Sequence, residues 1–131
     1  MFLDMGHTDV PKVDAMAARL EPWLVQRMRA GEYLGWLVTA EDGTVAAGAG
    51  VWLMDWLPHV IGSAPRRGNI VNVYTAREFR RRGLARVLME TAVEWCRGNG
   101  LDIVILHASP EGRALYESIG FAASNEMRIR L

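Results

Sequence analysis

The sequence has too few cysteines for a fold held together by disulfide bonds. Cys96 is the only cysteine in 131 residues, which excludes an internal disulfide and a cysteine-based zinc site. The three histidines, His7, His59 and His107, also lack the spacing of metal ligands. We therefore expect no metal. A lone free cysteine fits a reducing compartment, so we expect a cytoplasmic protein.

Charge of one sign and long apolar runs are missing as well. Fifteen basic residues balance fifteen acidic ones, so no global charge attracts nucleic acid, and any anion site must be a local cluster. No apolar run approaches the length of a membrane span, and residues 1–6 lack the basic and long apolar segments of a signal peptide. We expect no nucleic-acid partner and no membrane partner.

The sequence does have enough apolar residues for a substantial core. Half of all residues in the sequence are hydrophobic, which suits one compact domain over residues 1–131. Helical spacing covers residues 11–30, where Pro22 either kinks the helix or starts a second one. Residues 33–39 and 45–54 predict a hairpin around an Asp-Gly turn, and residues 55–68 predict a loop.

Gly48 and Gly50 lie inside the second strand of this hairpin. Glycine weakens a strand interior, so the pair suggests either a bulge or a backbone that another group approaches closely.

A strand–helix–strand unit fills the second half of the chain. Strand 70–75, helix 84–97 and strand 101–106 predict a right-handed crossover with parallel strands, which makes the whole sheet mixed. A short helix over residues 113–119 follows and ends at Gly120. Apolar residues then alternate with arginines, which predicts a last strand over residues 127–131.

Three arginines precede a glycine at the start of the long helix. The first N–H groups of a helix have no internal partner, and its dipole makes that end positive. Gly83 leaves no side chain in the way of a ligand. With Arg80, Arg81 and Arg82 adding attraction, this segment predicts a phosphate or pyrophosphate site. A solvated basic helix start without a ligand is the alternative.

Two segments together resemble the GNAT N-acetyltransferase superfamily. Residues 80–85, Arg-Arg-Arg-Gly-Leu-Ala, match its Arg/Gln-x-x-Gly-x-Gly/Ala signature, and residues 114–121 resemble its tyrosine helix ending in Gly-Phe. The resemblance implies an α/β fold with a GNAT-like mixed central sheet and flanking helices, and it implies the use of acetyl-CoA. Residues 2–5 resemble the tail of the family's first helix, so we expect the family's first edge strand to be missing.

The resemblance also implies roles for particular residues. The pantetheine arm of acetyl-CoA would pair with the backbone of the strand before the arginine turn, and backbone N–H groups of the turn would hold the pyrophosphate. Ser109, where the family often has asparagine, would contact the arm, while Arg77 replaces a frequent proline. The implied cofactor-binding residues are Val73, Thr75, Arg80, Arg81, Arg82, Gly83, Leu84, Ala85, Arg86 and Ser109.

Tyr116 and His107 are the candidate catalytic residues. The resemblance implies that Tyr116 protonates the departing thiolate; a helix tyrosine with a satisfied hydroxyl is the alternative. His107 ends the apolar strand, at the edge of a parallel sheet where ligands gather, and an imidazole there would deprotonate an amine. A structural histidine is the alternative. Cys96 is expected to be a buried, inert thiol.

These features predict direct transfer of an acetyl group from acetyl-CoA to a primary amine of a small-molecule or peptide acceptor. A catalytically silent GNAT-like module that binds CoA is the alternative, while neutral net charge opposes a nucleic-acid contact through the arginines. The apolar strand 33–39 is expected to be an exposed edge, with no lysine or proline within the strand after Gly35. It is therefore expected to favour a homodimer or aggregation.

Overall fold

The computed structural model describes residues 10–57, 60 and 62–131. His7, His59 and the segment 2–5 compared above with a helix tail lie outside the described residues. None of the helices in the described part of the chain combines the length and the apolarity that a membrane span needs.

Three helices and four strands make up the described chain. In order they are α1 (Val10–Arg29), β1 (Tyr33–Thr39), β2 (Val45–Asp55), β3 (Arg66–Thr75), a short 3-10 turn (Arg77–Phe79), α2 (Leu84–Gly98), β4 (Val104–Leu106) and α3 (Arg113–Ile119). The strands form one sheet in the order β1-β2-β3-β4. The first three are antiparallel and β4 runs parallel to β3, which confirms the predicted hairpin, the parallel pair and the mixed sheet. Strand β4 begins at Val104, three residues later than predicted.

Helix α1 covers one face of the sheet through a small aromatic cluster. Trp23 packs edge-on against Tyr33 and Trp52, with ring centroids 6.4 and 5.2 Å apart. The helix runs through Pro22 as one element of 20 residues, so of the two alternatives at this proline the start of a second helix is wrong. The aromatic contacts lie one residue beyond the proline and favour continuation of the helix over a break.

Helix α2 packs on the opposite face and forms the main core. Its residues Met89, Ala92 and Cys96 are buried against apolar residues of β2 and β3. A Cβ at Gly68 of β3 would lie 3.1 Å from the Cys96 sulfur, so the glycine permits the close approach of the helix. Cys96 is thereby buried in the core, as expected, whereas Val87 on the same helix is exposed.

The predicted last strand is wrong, and β3 is longer than predicted. Residues 121–131 form neither helix nor strand, and Met127, Ile129 and Leu131 are largely exposed. Alternation makes a strand only where a neighbouring strand supplies hydrogen bonds, and the outer edge of β4 pairs with no described strand. Conversely, β3 begins at Arg66, inside the predicted loop, because it pairs with the extended end of β2.

Among the described strands, β1 lies at an edge of the sheet, as predicted. The Leu53 N–H donates to the Glu32 carbonyl at 2.8 Å, so alternation directs the backbone groups of Tyr33, Gly35 and Leu37 away from β2. Leu37 is 67% exposed.

We expect this edge to pair two copies of the chain. The protein should sediment as a dimer at micromolar concentration, and Leu37→Lys should shift it to monomer because a charged side chain guards an edge against pairing. Val87→Lys is the matched control, since Val87 is a similarly exposed apolar residue on α2, and it should leave the distribution unchanged. A monodisperse monomer of the parent would contradict the prediction.

Candidate functional site

The parallel ladder between β3 and β4 is short, and β3 continues beyond it. Strand β4 ends at Leu106, whereas β3 continues to Thr75. From Val71 onward, one edge of β3 therefore faces no strand among the described residues. The ladder consists of the pairs Gly68–Val104, Asn69–Ile105 and Ile70–Leu106.

A bulge sets the direction of the exposed β3 backbone. Between its pairs with Gly50 and Gly48 of β2, strand β3 contains one extra residue, and Asn72 there has a left-handed φ of 56°. Beyond the bulge, the Ala76 N–H donates to Ala46 of β2 at 2.8 Å. Because bonding directions alternate along a strand, the backbone groups of Thr75 point away from β2, and those of Val73 point the same way. They face the gap beside β3 beyond the end of β4.

The turn at residues 80–83 forms a concave set of backbone N–H groups at the start of α2. Arg81 and Gly83 both have positive φ, 64° and 75°, and alternating handedness of this kind curls a backbone into an anion-binding nest. No side chain caps the helix at Gly83, and a Cβ there would meet nothing within 4 Å. An uncapped helix start with open space in front of it fits a phosphate or pyrophosphate group.

The arginine side chains around this turn make contacts of their own. The Arg80 Nε donates to the Thr75 carbonyl at 3.1 Å, and the Arg82 guanidinium lies 5.3 Å from the Phe79 ring centre. The Arg86 guanidinium donates to Ser118 Oγ at 2.8 Å and thus links α2 to α3. These arginines shape the turn and make it positive at the same time.

Tyr116 is buried near the end of the parallel ladder. It is 9% exposed and packs in the same apolar cluster as Ile70, the last β3 residue paired with β4. Gly112 makes room for it, because a Cβ there would lie 2.7 Å from the tyrosine ring. Burial raises the pKa of the Tyr116 phenol, so the group carries its proton at neutral pH, as a general acid must.

His107 and Tyr116 line one open cavity of about 490 Å³ between β4, α3 and residues 121–128. His107 is exposed, and its Nε2 lies 3.7 Å from the Glu126 carboxylate. The cavity brings the two candidate catalytic residues together. Neither Val73, Thr75 nor the turn 80–86 lines this cavity, so the candidate cofactor-binding residues form a separate group.

Ser109 has a structural contact that its sequence position did not indicate. Its hydroxyl oxygen accepts the Gly112 N–H at 3.1 Å, and its carbonyl accepts the Arg113 N–H at 3.1 Å. Ser109 thus organises the start of α3, and its predicted contact with a cofactor stays a prediction.

Sequence reasoning missed Tyr33 and Asn72. The Asn72 side-chain amide donates to the Tyr33 hydroxyl at 3.1 Å. The sequence signal for this contact was Gly50, because a Cβ there would lie only 1.8 Å from the Tyr33 hydroxyl. Both features suggested by the strand glycines are present: a bulge opposite them and a side chain lying across one of them.

No set of three or more potential metal ligands is grouped in the described part of the chain. The one thiol is also unsuited to catalysis. Cys96 is fully buried in the core, and burial raises its pKa to about 11.

The comparisons with known proteins agree with this architecture. The model of the Acetyltransferase (GNAT) family matches residues 7–121, and the chain therefore belongs to the GNAT acetyltransferase family. No curated protein matches it.

Solved structures resemble the chain over nearly all its length. A GCN5-related N-acetyltransferase from Ralstonia eutropha JMP134 is 30% identical, with a TM-score of 0.87 over 99% of this chain and 85% of its own. A predicted acetyltransferase from Clostridium acetobutylicum, crystallised with acetyl-CoA, is 22% identical, with a TM-score of 0.85 over 99% and 82%. Glucosamine-6-phosphate N-acetyltransferase from Arabidopsis thaliana is 22% identical, with a TM-score of 0.70 over 87% and 75%.

The burial of Cys96 predicts slow thiol chemistry in the folded protein. With a pKa of about 11, only about one thiol in a thousand is ionised at pH 8. A disulfide-exchange reagent at pH 8 should react far more slowly with the native protein than with protein unfolded in guanidinium, and the native rate should rise with pH. Equal rates in the two states would contradict the burial.

Proposed function

We propose that this chain is an acetyl-CoA-dependent N-acetyltransferase that transfers the acetyl group directly to a primary amine. One observation carries the proposal: the sheet opens between β3 and β4, and the open β3 edge leads to an uncapped, arginine-rich helix start. Membership of the GNAT family and the acetyl-CoA in the structurally similar Clostridium protein support the same donor.

In this proposal the opened edge of β3 binds the donor by its backbone. The N–H and C=O groups of Val73 and Thr75 pair with the amides of the pantetheine arm. The backbone N–H groups from Arg81 through Arg86 bind the pyrophosphate, and the arginine charges attract it. The Ser109 hydroxyl can still donate one hydrogen bond while it accepts from Gly112.

Acetyl-CoA supplies a thioester that an amine can attack, with a thiolate as the leaving group. Tyr116 holds the proton that neutralises this thiolate, and its raised pKa keeps the phenol protonated until then. A backbone N–H near Val73 stabilises the carbonyl oxygen. His107 is the proposed acceptor of the amine proton, with the Glu126 carboxylate beside it.

Direct transfer is proposed because the described residues around this site offer no activated nucleophile. Cys96 is buried in the core and its pKa is about 11, which leaves almost no thiolate to be acetylated. Catalysis would then depend mainly on holding donor and amine side by side. The acceptor is proposed to be a small molecule or a peptide, in a cytoplasmic protein acting as one domain.

A catalytically silent CoA-binding module is the second candidate. The observation that favours it is the separation of the two groups of residues: Tyr116 and His107 share a cavity that Val73 and Thr75 do not line. Release of free thiol from acetyl-CoA in the presence of a panel of amines separates the two functions.

The first prediction of this proposal concerns Gly83. Acetyl-CoA at one hundred times its Kd should stabilise the fold by about 2.7 kcal/mol, seen as a rise in Tm. Gly83→Glu should abolish the rise, because a carboxylate would face the pyrophosphate. Gly83→Asn is the matched control, since asparagine tolerates positive φ and adds no charge. Retained binding in Gly83→Glu would refute the assignment of the turn.

The second prediction concerns Tyr116. Tyr116→Phe keeps the packed ring and removes the proton donor, so turnover should fall by about 10²-fold while the Kd for acetyl-CoA stays nearly constant. Single-turnover kinetics establish that chemistry limits the rate. Unchanged turnover would remove the acid role, and acetyl label retained on the protein after incubation with acetyl-CoA alone would remove the direct mechanism.

A further inference from the structure

We propose that Tyr33 is a positioning residue for the donor site. Its hydroxyl holds the Asn72 bulge, and the bulge decides which β3 backbone groups face the gap. The inference rests on the proposed function, because it assigns Tyr33 a role in binding acetyl-CoA at that gap.

The Tyr33–Asn72 contact joins strands that are not neighbours in the sheet. Tyr33 lies on β1 and Asn72 on β3, with β2 between them. The Asn72 amide nevertheless donates to the Tyr33 hydroxyl at 3.1 Å, because the tyrosine ring lies across Gly50 of β2, where a Cβ would coincide with the hydroxyl. Glycine at this position of β2 is what allows the ring to cross the strand.

Tyr33 is itself firmly held. It is 8% exposed, and Trp23 of α1 packs edge-on against its ring, with the centroids 6.4 Å apart. The hydroxyl is therefore a fixed acceptor for the Asn72 amide, and Asn72 has the left-handed φ that asparagine tolerates better than other side-chain-bearing residues.

The bulge changes the direction of every β3 residue that follows it. In a regular strand, side chains three residues apart point to opposite faces. Here Ile70 and Val73 both pack with the core that α2 covers, so the extra residue has shifted the alternation by one. Without that shift, the backbone groups of Thr75 would point at β2 and not into the gap.

The consequence is a chain of contacts from α1 to the donor site. Trp23 fixes Tyr33, Tyr33 fixes Asn72, and Asn72 fixes the direction of the Val73 and Thr75 backbone. A change at the Tyr33 hydroxyl should therefore alter donor binding although Tyr33 is not itself one of the proposed donor-binding residues.

A double-mutant cycle on the full chain tests this inference. Tyr33→Phe removes only the hydroxyl, and Asn72→Gly removes the amide but keeps positive φ accessible. Isothermal titration with acetyl-CoA, well below the Tm of each variant, should show each single change raising the Kd by about 2- to 10-fold, the range of one neutral hydrogen bond. The double variant should bind no more weakly than either single variant. Leu37→Ala, on the same strand but exposed, should bind as the parent does.

Each outcome decides the question. Parent protein that binds no acetyl-CoA overturns the proposed function and this inference with it. If the parent binds, an unchanged Kd in Tyr33→Phe overturns the inference alone, even when its Tm falls, because the hydroxyl would then only stabilise the fold. Losses that multiply in the double variant overturn it too, because the two groups would then act independently.

Discussion

The point at which the parallel ladder between β3 and β4 ends determines where the open edge of β3 and the start of α2 lie. The two strands share three pairs and are held there by α2, whose Cys96 lies against Gly68. Beyond Ile70, β3 follows β2 while β4 ends. A crossover helix must begin near the end of the first strand, so the positive start of α2 comes to lie beside the opening. The short β3–β4 ladder and the position of the proposed anion site are therefore both consequences of this topology.

Three glycines act in this structure by leaving space for a neighbour. Gly68 admits the sulfur of α2, Gly50 admits the Tyr33 hydroxyl, and Gly112 admits the Tyr116 ring. Each permits a side chain to cross a backbone where any Cβ would collide with it or press against it. Two of the three positions concern tyrosines near the proposed donor site. Close packing in this protein thus serves the placement of hydroxyl groups as well as the burial of apolar surface.

Local patterns in the sequence predicted the hairpin, the crossover and the short final helix, because each depends on contacts between neighbouring segments. The turn around Gly83 was also predictable, since a glycine between a run of arginines and an apolar helical pattern marks an uncapped helix start. The strand predicted at residues 127–131 failed because a strand depends on a partner as well as on alternation. The Tyr33–Asn72 bond had no signal of its own, since residues 39 positions apart meet only after the register of three strands is set. Gly50 indicated that some group approaches the β2 backbone closely, but not that this group is the Tyr33 hydroxyl.

The proposed anion site would depend on backbone geometry more than on the arginine side chains of the same turn. Arg80 is bonded to the Thr75 carbonyl, Arg82 lies over Phe79, and Arg86 is shared between Ser118 and Glu90. Exposed charges on long side chains contribute little when solvent and salt screen them. The N–H groups of a helix start are already fixed in direction, so binding an anion there costs them little conformational freedom. The arginines hold the turn in shape and raise the local potential, while the left-handed residues at 81 and 83 create the concave surface that an anion would contact.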